Sequence, residues 1–484
     1  VIALVASPLL VPLATALLAA FARRRPALQL AIGLAGAVAL VACAIALVAG
    51  ANRDALPTVA FGGWEAPFGI VFRIDRLGAL MVLLTALMGL ATQVFLLTDP
   101  ETRPRSPLLV PILWGMLAGV GGAFATADLF NLYVWFEVML IGVLGLFAIG
   151  GRIDQLDATL KYLVLNVVGT LLLVAAVAAI YATTGHLNFT AIAAAARGLE
   201  PAVATAVLAA LLFAFLVKSG AFPLFAWLPA SYHTLPGPVL ALVAGLLTKV
   251  GIYALLRTTG ELFVPTPARV LEILGWIAAA TMLAGVLGAA YHWDMRRILG
   301  FHVISQIGYM LLGIALGTEA GNAGTAFYVA HHIVVKANLF FVAAIAWRLA
   351  GDYDLRRIGG LARAKPALAL VFAVPALSLV GIPPLSGFWA KFLVLGEALR
   401  VDRVAWTVVA LVVSALTLYS MMKIWMEAFW KPHPDPAWRP AATGLGPAWC
   451  VTVGLALVTL AIGLFPQPLV AYCLAAAASL GGAP

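Results

Sequence analysis

Apolar runs long enough to cross about 30 Å of hydrocarbon follow one another along almost the whole chain, separated by short polar or proline-containing segments. The pattern predicts spans near residues 2–21, 28–49, 74–97, 107–126, 128–149, 157–182, 202–232, 236–258, 268–291, 295–317, 321–348, 366–397, 403–428 and 446–475. An all-α polytopic membrane protein of about 14 transmembrane helices is expected, in a single membrane domain. Two spans are too long and too interrupted to be plain helices. One runs through Lys218-Ser219-Gly220-Ala221-Phe222-Pro223 to Trp227-Leu228-Pro229, the other through Gly381-Ile382-Pro383-Pro384-Leu385-Ser386-Gly387 to Lys391. Proline removes a backbone donor and clashes one turn back, so each helix should break near the middle of the membrane. The breaks fall in the seventh and twelfth spans. An odd offset of five helices means that the two copies thread the membrane in opposite senses. Two inverted five-helix repeats are therefore expected, 107–258 (helices 4–8) and 268–428 (helices 9–13), flanked by 1–106 (helices 1–3) and 446–475 (helix 14). Broken helices at matching places point to an ion or substrate path, the plainer alternative being two kinked helices.

Composition strengthens the membrane assignment. With 64% hydrophobic and 10% charged residues, the chain cannot hide its apolar surface inside a water-soluble fold. Arg23, Arg24 and Arg25 follow the first apolar stretch, whereas a secretory signal carries its charges before it, so a retained first helix is expected. If their loop is cytoplasmic, so are those holding Arg103/Arg105, Arg296/Arg297 and Arg348/Arg356/Arg357/Arg363/Lys365. Most loop lysines and arginines then lie inside, as the positive-inside rule requires, and both termini face the exterior. These loops account for the net charge of +9. No basic stripe with interleaved aromatics suggests nucleic acid, so lipid is the expected surrounding. Cys43, Cys450 and Cys473 stand singly, and no Walker loop or dinucleotide fingerprint is present. Gly119, Gly121 and Gly122 inside a span suit close helix packing. No cofactor and no metal is expected, leaving an ion gradient or a partner as the energy source.

A charged group at bilayer depth is unfavourable by about 2.5 to 3.5 kcal/mol on insertion scales, yet Glu137, Lys218, Lys249, Lys336 and Lys391 all lie inside apolar spans. A lone buried carboxylate would protonate, so a charged Glu137 needs a cation, and Lys218 beside the first break is the candidate. A pair that opens and closes can load and unload a proton; a static pair would only pin two helices. His332 and Lys336 share a helix face and can join one water chain. Lys391 follows the second break. His302, with Ser305 and Gln306, either links Lys249 to His332 or is a satisfied interface histidine. His233 and His331 are secondary candidates. A metal is the rival reading for His331-His332, but adjacent residues diverge by about 100 degrees on a helix and no third ligand is evident. Lys423 and Glu427 read as an ordinary i,i+4 pair or a snorkelling lysine, and Asp75 and Arg76 as interfacial. Without a nucleophile, base or oxyanion donors the series suits proton relay rather than hydrolysis.

These residues resemble the antiporter-like membrane subunits shared by Mrp-type cation/proton antiporters, respiratory NADH dehydrogenases and membrane-bound hydrogenases. Nearly the whole chain is covered. The resemblance implies fourteen helices, two inverted repeats with broken seventh and twelfth helices, and a polar axis comprising Glu137, Lys218, Lys249, His332, Lys336 and Lys391. The segment Gly63-Trp64-Glu65-Ala66-Pro67-Phe68-Gly69-Ile70, the stretch Gly122 to Ile141, Leu246 to Tyr253, Ile304 to Met310, and Gly381 to Gly387 are most similar to the D-type member of the Mrp antiporters. Phe301 departs from a tyrosine frequent in relatives, His233 lies in a variable segment, and the chain is expected to lack the lateral helix of larger relatives. The resemblance implies a secondary-transporter subunit, not an enzyme, of a multisubunit Na+(K+)/H+ antiporter in a bacterial plasma membrane. Subunits of the A, B, C, E, F and G types would be its partners and H+ with Na+ or K+ its substrates. The alternative is a proton-pumping subunit of a redox-driven complex.

Overall fold

Asp75, Asp128, Asn188, Asp294 and Thr318 each stand at the start of a helix and accept a hydrogen bond from a backbone N–H two or three residues on, satisfying a donor the helix cannot. The computed structural model describes residues 2–54, 56–102, 106–441 and 444–481; Arg103 and Arg105 lie outside them. The chain folds into α1 (Ile2–Phe21), α2 (Pro26–Asn52), a two-residue-per-strand hairpin β1 (Val59–Ala60) and β2 (Val71–Phe72), α3 (Arg76–Leu96), α4 (Leu109–Ala125), α5 (Leu129–Ala148), α6 (Ile153–Thr184), the short α7 (Phe189–Ala196), α8 (Pro201–Ser219) and α9 (Trp227–Ser231). There follow α10 (Gly237–Arg257), α11 (Ala268–Tyr291), α12 (Met295–Ala315), α13 (Glu319–Ala350), α14 (Leu361–Ala364), α15 (Pro366–Val380), α16 (Ser386–Arg400), α17 (Val404–Ile424), α18 (Gly446–Leu464) and α19 (Gln467–Gly481).

The chain is thus an all-α, multi-pass membrane protein. Twelve of the described helices are long and apolar enough to cross a membrane, and α4, α15 and α19 are shorter apolar ones. Length alone therefore does not reach the expected fourteen. Both expected breaks are present: α8 stops at Gly220 (φ 73°) and α15 at Gly381 (φ 100°), each in the left-handed conformation that glycine adopts without strain. The region 446–475, expected as one helix, is two, because Pro466 follows the α18 terminus and α19 starts afresh at Gln467. The small hairpin and α7 were not anticipated.

α10, α12 and α13 are buried along nearly their whole length, and α13 packs against α10, α12, α15, α16, α18 and α19. α1, α2, α6, α17 and α18 bury one side and turn residues such as Leu17, Leu171 and Leu411 outward. Contacts define two ends of the bundle. At one, Arg348 meets Asp99 at 2.7 Å, Arg152 reaches the Thr234 carbonyl, Arg297 reaches His233, and Arg23 lines a cleft with Thr102 and Ser106. At the other, Arg257 grips both oxygens of Asp75 (2.6 and 2.7 Å) and binds Glu261, which also takes Arg73. Asp75 thus anchors Arg257 as well as capping α3.

The extended residues before α5 and α12 are built alike. Asp128 bridges to Asn188 and Asp294 to Asp354, in antiparallel pairs with the same separation along the chain. The shift that carries Asp128 to Asp294 and Asn188 to Asp354 also carries Asn166 to His332 and Thr170 to Lys336.

Candidate functional site

The glutamate and the first lysine come together, though through a third residue. α5, started by the Asp128 cap, carries Glu137; α6 packs beside it, and α8, which carries Lys218, packs on α6. Glu137 and Lys218 stand 4.0 Å apart. Between them the Thr170 hydroxyl donates to Glu137 Oε1 at 2.7 Å and accepts from Lys218 Nζ at 2.8 Å. Lys218 also donates to the Asn166 carbonyl at 3.3 Å and lies 5.9 Å from the centre of the Phe136 ring. One hydroxyl therefore acts as donor to the anion and acceptor from the cation, the only polarity it can adopt between them. A cavity of about 20 Å³ beside Lys218, lined by Tyr162, Asn166, Trp227 and Leu247, is large enough for a water and leads toward α10.

Lys249 is fully enclosed on α10, and its Nζ donates to the Ala244 carbonyl of its own helix at 2.9 Å. Next to it on α13, His332 and Lys336 are also fully enclosed. Both His332 ring nitrogens and Lys336 Nζ find no protein partner among the described residues. On α12, His302 Nε2 meets Ser420 Oγ at 2.9 Å, while His302 Nδ1, Ser305 Oγ and Gln306 Nε2 are left over. Buried polar atoms in such number call for water. Lys249, Lys336, His331 and His302 all lie within electrostatic range of His332.

The second break gathers another group. Lys391 Nζ donates to the Val380 carbonyl (2.6 Å), freed by the end of α15, and to Ser414 Oγ (2.9 Å) on α17. Its ammonium sits 4.8 Å from the centre of the Tyr309 ring. His331 does not join His332: its Nδ1 meets Ser386 Oγ at 2.8 Å, and Ser386 meets Ser378 at 3.0 Å across the break.

Other expected residues lie apart. His233, in the turn after α9, receives Arg297 Nη2 at 3.0 Å, and its pKa is pushed down to about 4 by burial and by the neighbouring Arg297 and Arg296 guanidiniums. Lys423 and Glu427 do not pair: Lys423 caps the end of α11 through the Ala290 and His292 carbonyls (3.0 and 2.5 Å), and Glu427 binds Lys431 at 2.7 Å. A lysine that reaches free helix-terminal carbonyls gains more than an exposed i,i+4 pair offers. Sequence reasoning missed Thr170, Ser414, Ser420 and Tyr309. Hydroxyls in apolar helices usually bond their own helix, and only packing reveals those that do not.

Broken helices enclosing a buried file of lysines and histidines, headed by one glutamate, define a class of polytopic membrane protein built around an ionisable core. The family model described as "NADH:quinone oxidoreductase/Mrp antiporter, TM" matches residues 126–417. The D-type member of the Na(+)/H(+) antiporter of Alkalihalophilus pseudofirmus is 39% identical over 97% of this chain and 96% of its own length. Its counterpart in the Na(+)/H(+) antiporter of Bacillus subtilis is 36% identical over 91% and 90%. A chain in the structure of the Mrp complex from Dietzia sp. superposes with a TM-score of 0.92 at 33% identity, covering 99% of this chain and 97% of that one. The chain belongs to this family and, within it, to the D-type antiporter subunits.

Proposed function

We propose that the chain is an ion-translocating subunit of a multisubunit antiporter exchanging H+ for Na+ or K+. Protons pass among Glu137, Lys218, Lys249, His302, His332, Lys336 and Lys391. The observation that carries this reading is the Glu137–Thr170–Lys218 bridge at the head of a buried file. A static buried ion pair adds little stability, whereas a bridge through one rotatable hydroxyl is a contact that can be made and broken. Lys218 held by Thr170 and the Asn166 carbonyl is the loaded state. Withdrawn toward the adjoining cavity, the ammonium loses the field of Glu137 and gives up its proton on the side facing α10 and Lys249. His332 and Lys336 continue the path, and Lys391, held at the end of α15, is its far station.

The parallel placement of the bridges at Asp128 and Asp294 supports two inverted repeats, 107–258 and 268–428, flanked by 1–106 and 446–475. The end of the bundle bearing Arg23, Arg152, Arg296, Arg297 and Arg348 is assigned to the cytoplasm of a bacterium and both termini to the exterior, since that end, with Arg24, Arg25, Arg356, Arg357, Arg363 and Lys365, gathers more loop arginines and lysines than the opposite end, with Arg53, Arg73, Arg76, Arg197, Arg269, Arg400 and Arg403. Partner subunits of the antiporter complex are expected, because the relatives named above are themselves subunits. The side chain of Glu137 is 26% exposed, and a carboxylate at that depth is not left to lipid.

The test is cation-induced collapse of a proton gradient in inverted vesicles of an antiporter-deficient strain carrying the whole operon. Sodium- or potassium-dependent collapse from the parent, lost in Glu137→Ala at matched protein level, is the expected result. An assembled parent that shows none would replace this reading by a redox-driven proton pump.

A further inference from the structure

Around Lys391 the direction of each hydrogen bond is set by what the groups can donate. An ammonium has only protons to give, so Ser414 Oγ accepts from Lys391 (2.9 Å) and its own hydrogen is left for Tyr309 Oη at 2.8 Å. Tyr309 in turn donates to the Ala410 carbonyl at 2.5 Å. With Lys391 charged, every hydrogen in the row therefore points away from it and ends on a carbonyl. A neutral Lys391 amine has a lone pair, and the row can reverse: Ser414 donates to Nζ and Tyr309 to Ser414. Tyr309 is stacked on Tyr328 at 5.5 Å, and Tyr328 donates to Gln306 Oε1 at 2.5 Å, so the row borders the middle of the file.

We infer that Ser414 and Tyr309 form a reversible hydroxyl pair that sets the proton affinity of Lys391, and are positioning residues for it. The inference rests on the translocation reading above and names the control of its last station. The other groups facing Lys391 are His331 of α13, His302 of α12 and the Val380 carbonyl of α15; α18, packed behind α16, has no charged residue. Neither histidine shares a hydrogen bond with the pair.

Removing the acceptor of the charged form should lower the proton affinity of Lys391. Competitive acetylation with acetic anhydride, read on the Lys391 peptide by mass spectrometry across a pH series, measures this in the assembled complex without relying on transport. Ser414→Ala is expected to move the acetylation midpoint down by about one pH unit, Tyr309→Phe to move it the same way but less, since it leaves the Ser414 acceptor in place, and the double variant no further than Ser414→Ala alone. Ser414→Thr should restore the parental midpoint. The pH profile of cation-dependent gradient collapse should shift in the same sense. Midpoints unchanged in both single variants would overturn the inference, as would a shift that Ser414→Thr fails to restore. A midpoint that moves in a complex with no cation-dependent collapse would uphold the pair and refute the antiport reading.

Discussion

At the scale of single residues the decisive group is one that carries no charge. Thr170 makes two bonds to charged groups, and such bonds contribute about 1.5 to 3 kcal/mol each where water is excluded. Thr170→Val keeps the shape of the side chain but puts a methyl group, neither donor nor acceptor, where the hydroxyl bridges Lys218 and Glu137. Antiport should slow about tenfold or more in initial collapse rate, with the complex assembled, while Thr170→Ser stays near the parent. A full rate in Thr170→Val would reduce the bridge to a packing contact. The charged members of the site were legible in the sequence because a charge in an apolar span is costly and stands out against its neighbours. Thr170 was not, because nothing in the sequence separates a threonine that bridges to another helix from one such as Thr183, which bonds only the carbonyls of its own helix. Of the two readings of Lys423, the pair with Glu427 does not form, for a related reason: helix periodicity registers neighbours on one helix but not the free carbonyls of another.

At the scale of elements the two breaks were legible because proline and glycine carry their meaning locally. What the sequence did not reveal is how differently the breaks are loaded. A Cβ on Gly220 would meet nothing nearer than 3.4 Å, so Gly220→Ala costs only the left-handed conformation, about 1 to 2 kcal/mol. A Cβ on Gly381 would stand 2.9 Å from Lys391 Cδ, in a backbone conformation (φ 100°) less suited to alanine than that of Gly220 (φ 73°). Gly381→Ala should therefore push the Lys391 stem off the Val380 carbonyl and depress exchange more than Gly220→Ala does. Gradient collapse at equal protein level in the two variants decides this, and equal losses would mean that the position of the Lys391 stem is not critical. The split between α18 and α19 was hidden because apolar residues run on both sides of Pro466, and hydropathy does not register a change of direction.

For the whole molecule, the sequence showed that the chain lies in a membrane but not which sides of it meet lipid. Outward-facing leucines on α6 and α17 are equally suited to acyl chains or to an apolar partner. α5 is different. Ile141 is 70% exposed and lies one turn from Glu137, so the outer face of α5 presents a carboxylate edge beside a bare apolar side chain in the middle of a span. Lipid would leave that edge unsolvated, whereas a neighbouring subunit can supply a polar group or hold a water there. A photoreactive benzoylphenylalanine in place of Ile141 should therefore cross-link to another subunit when the assembled complex is illuminated, giving a band of higher mass that contains both chains. Adducts with phospholipid alone would mean that this face borders the bilayer, and the partial exposure of Glu137 would then have to be relieved within the chain by rotation of α5.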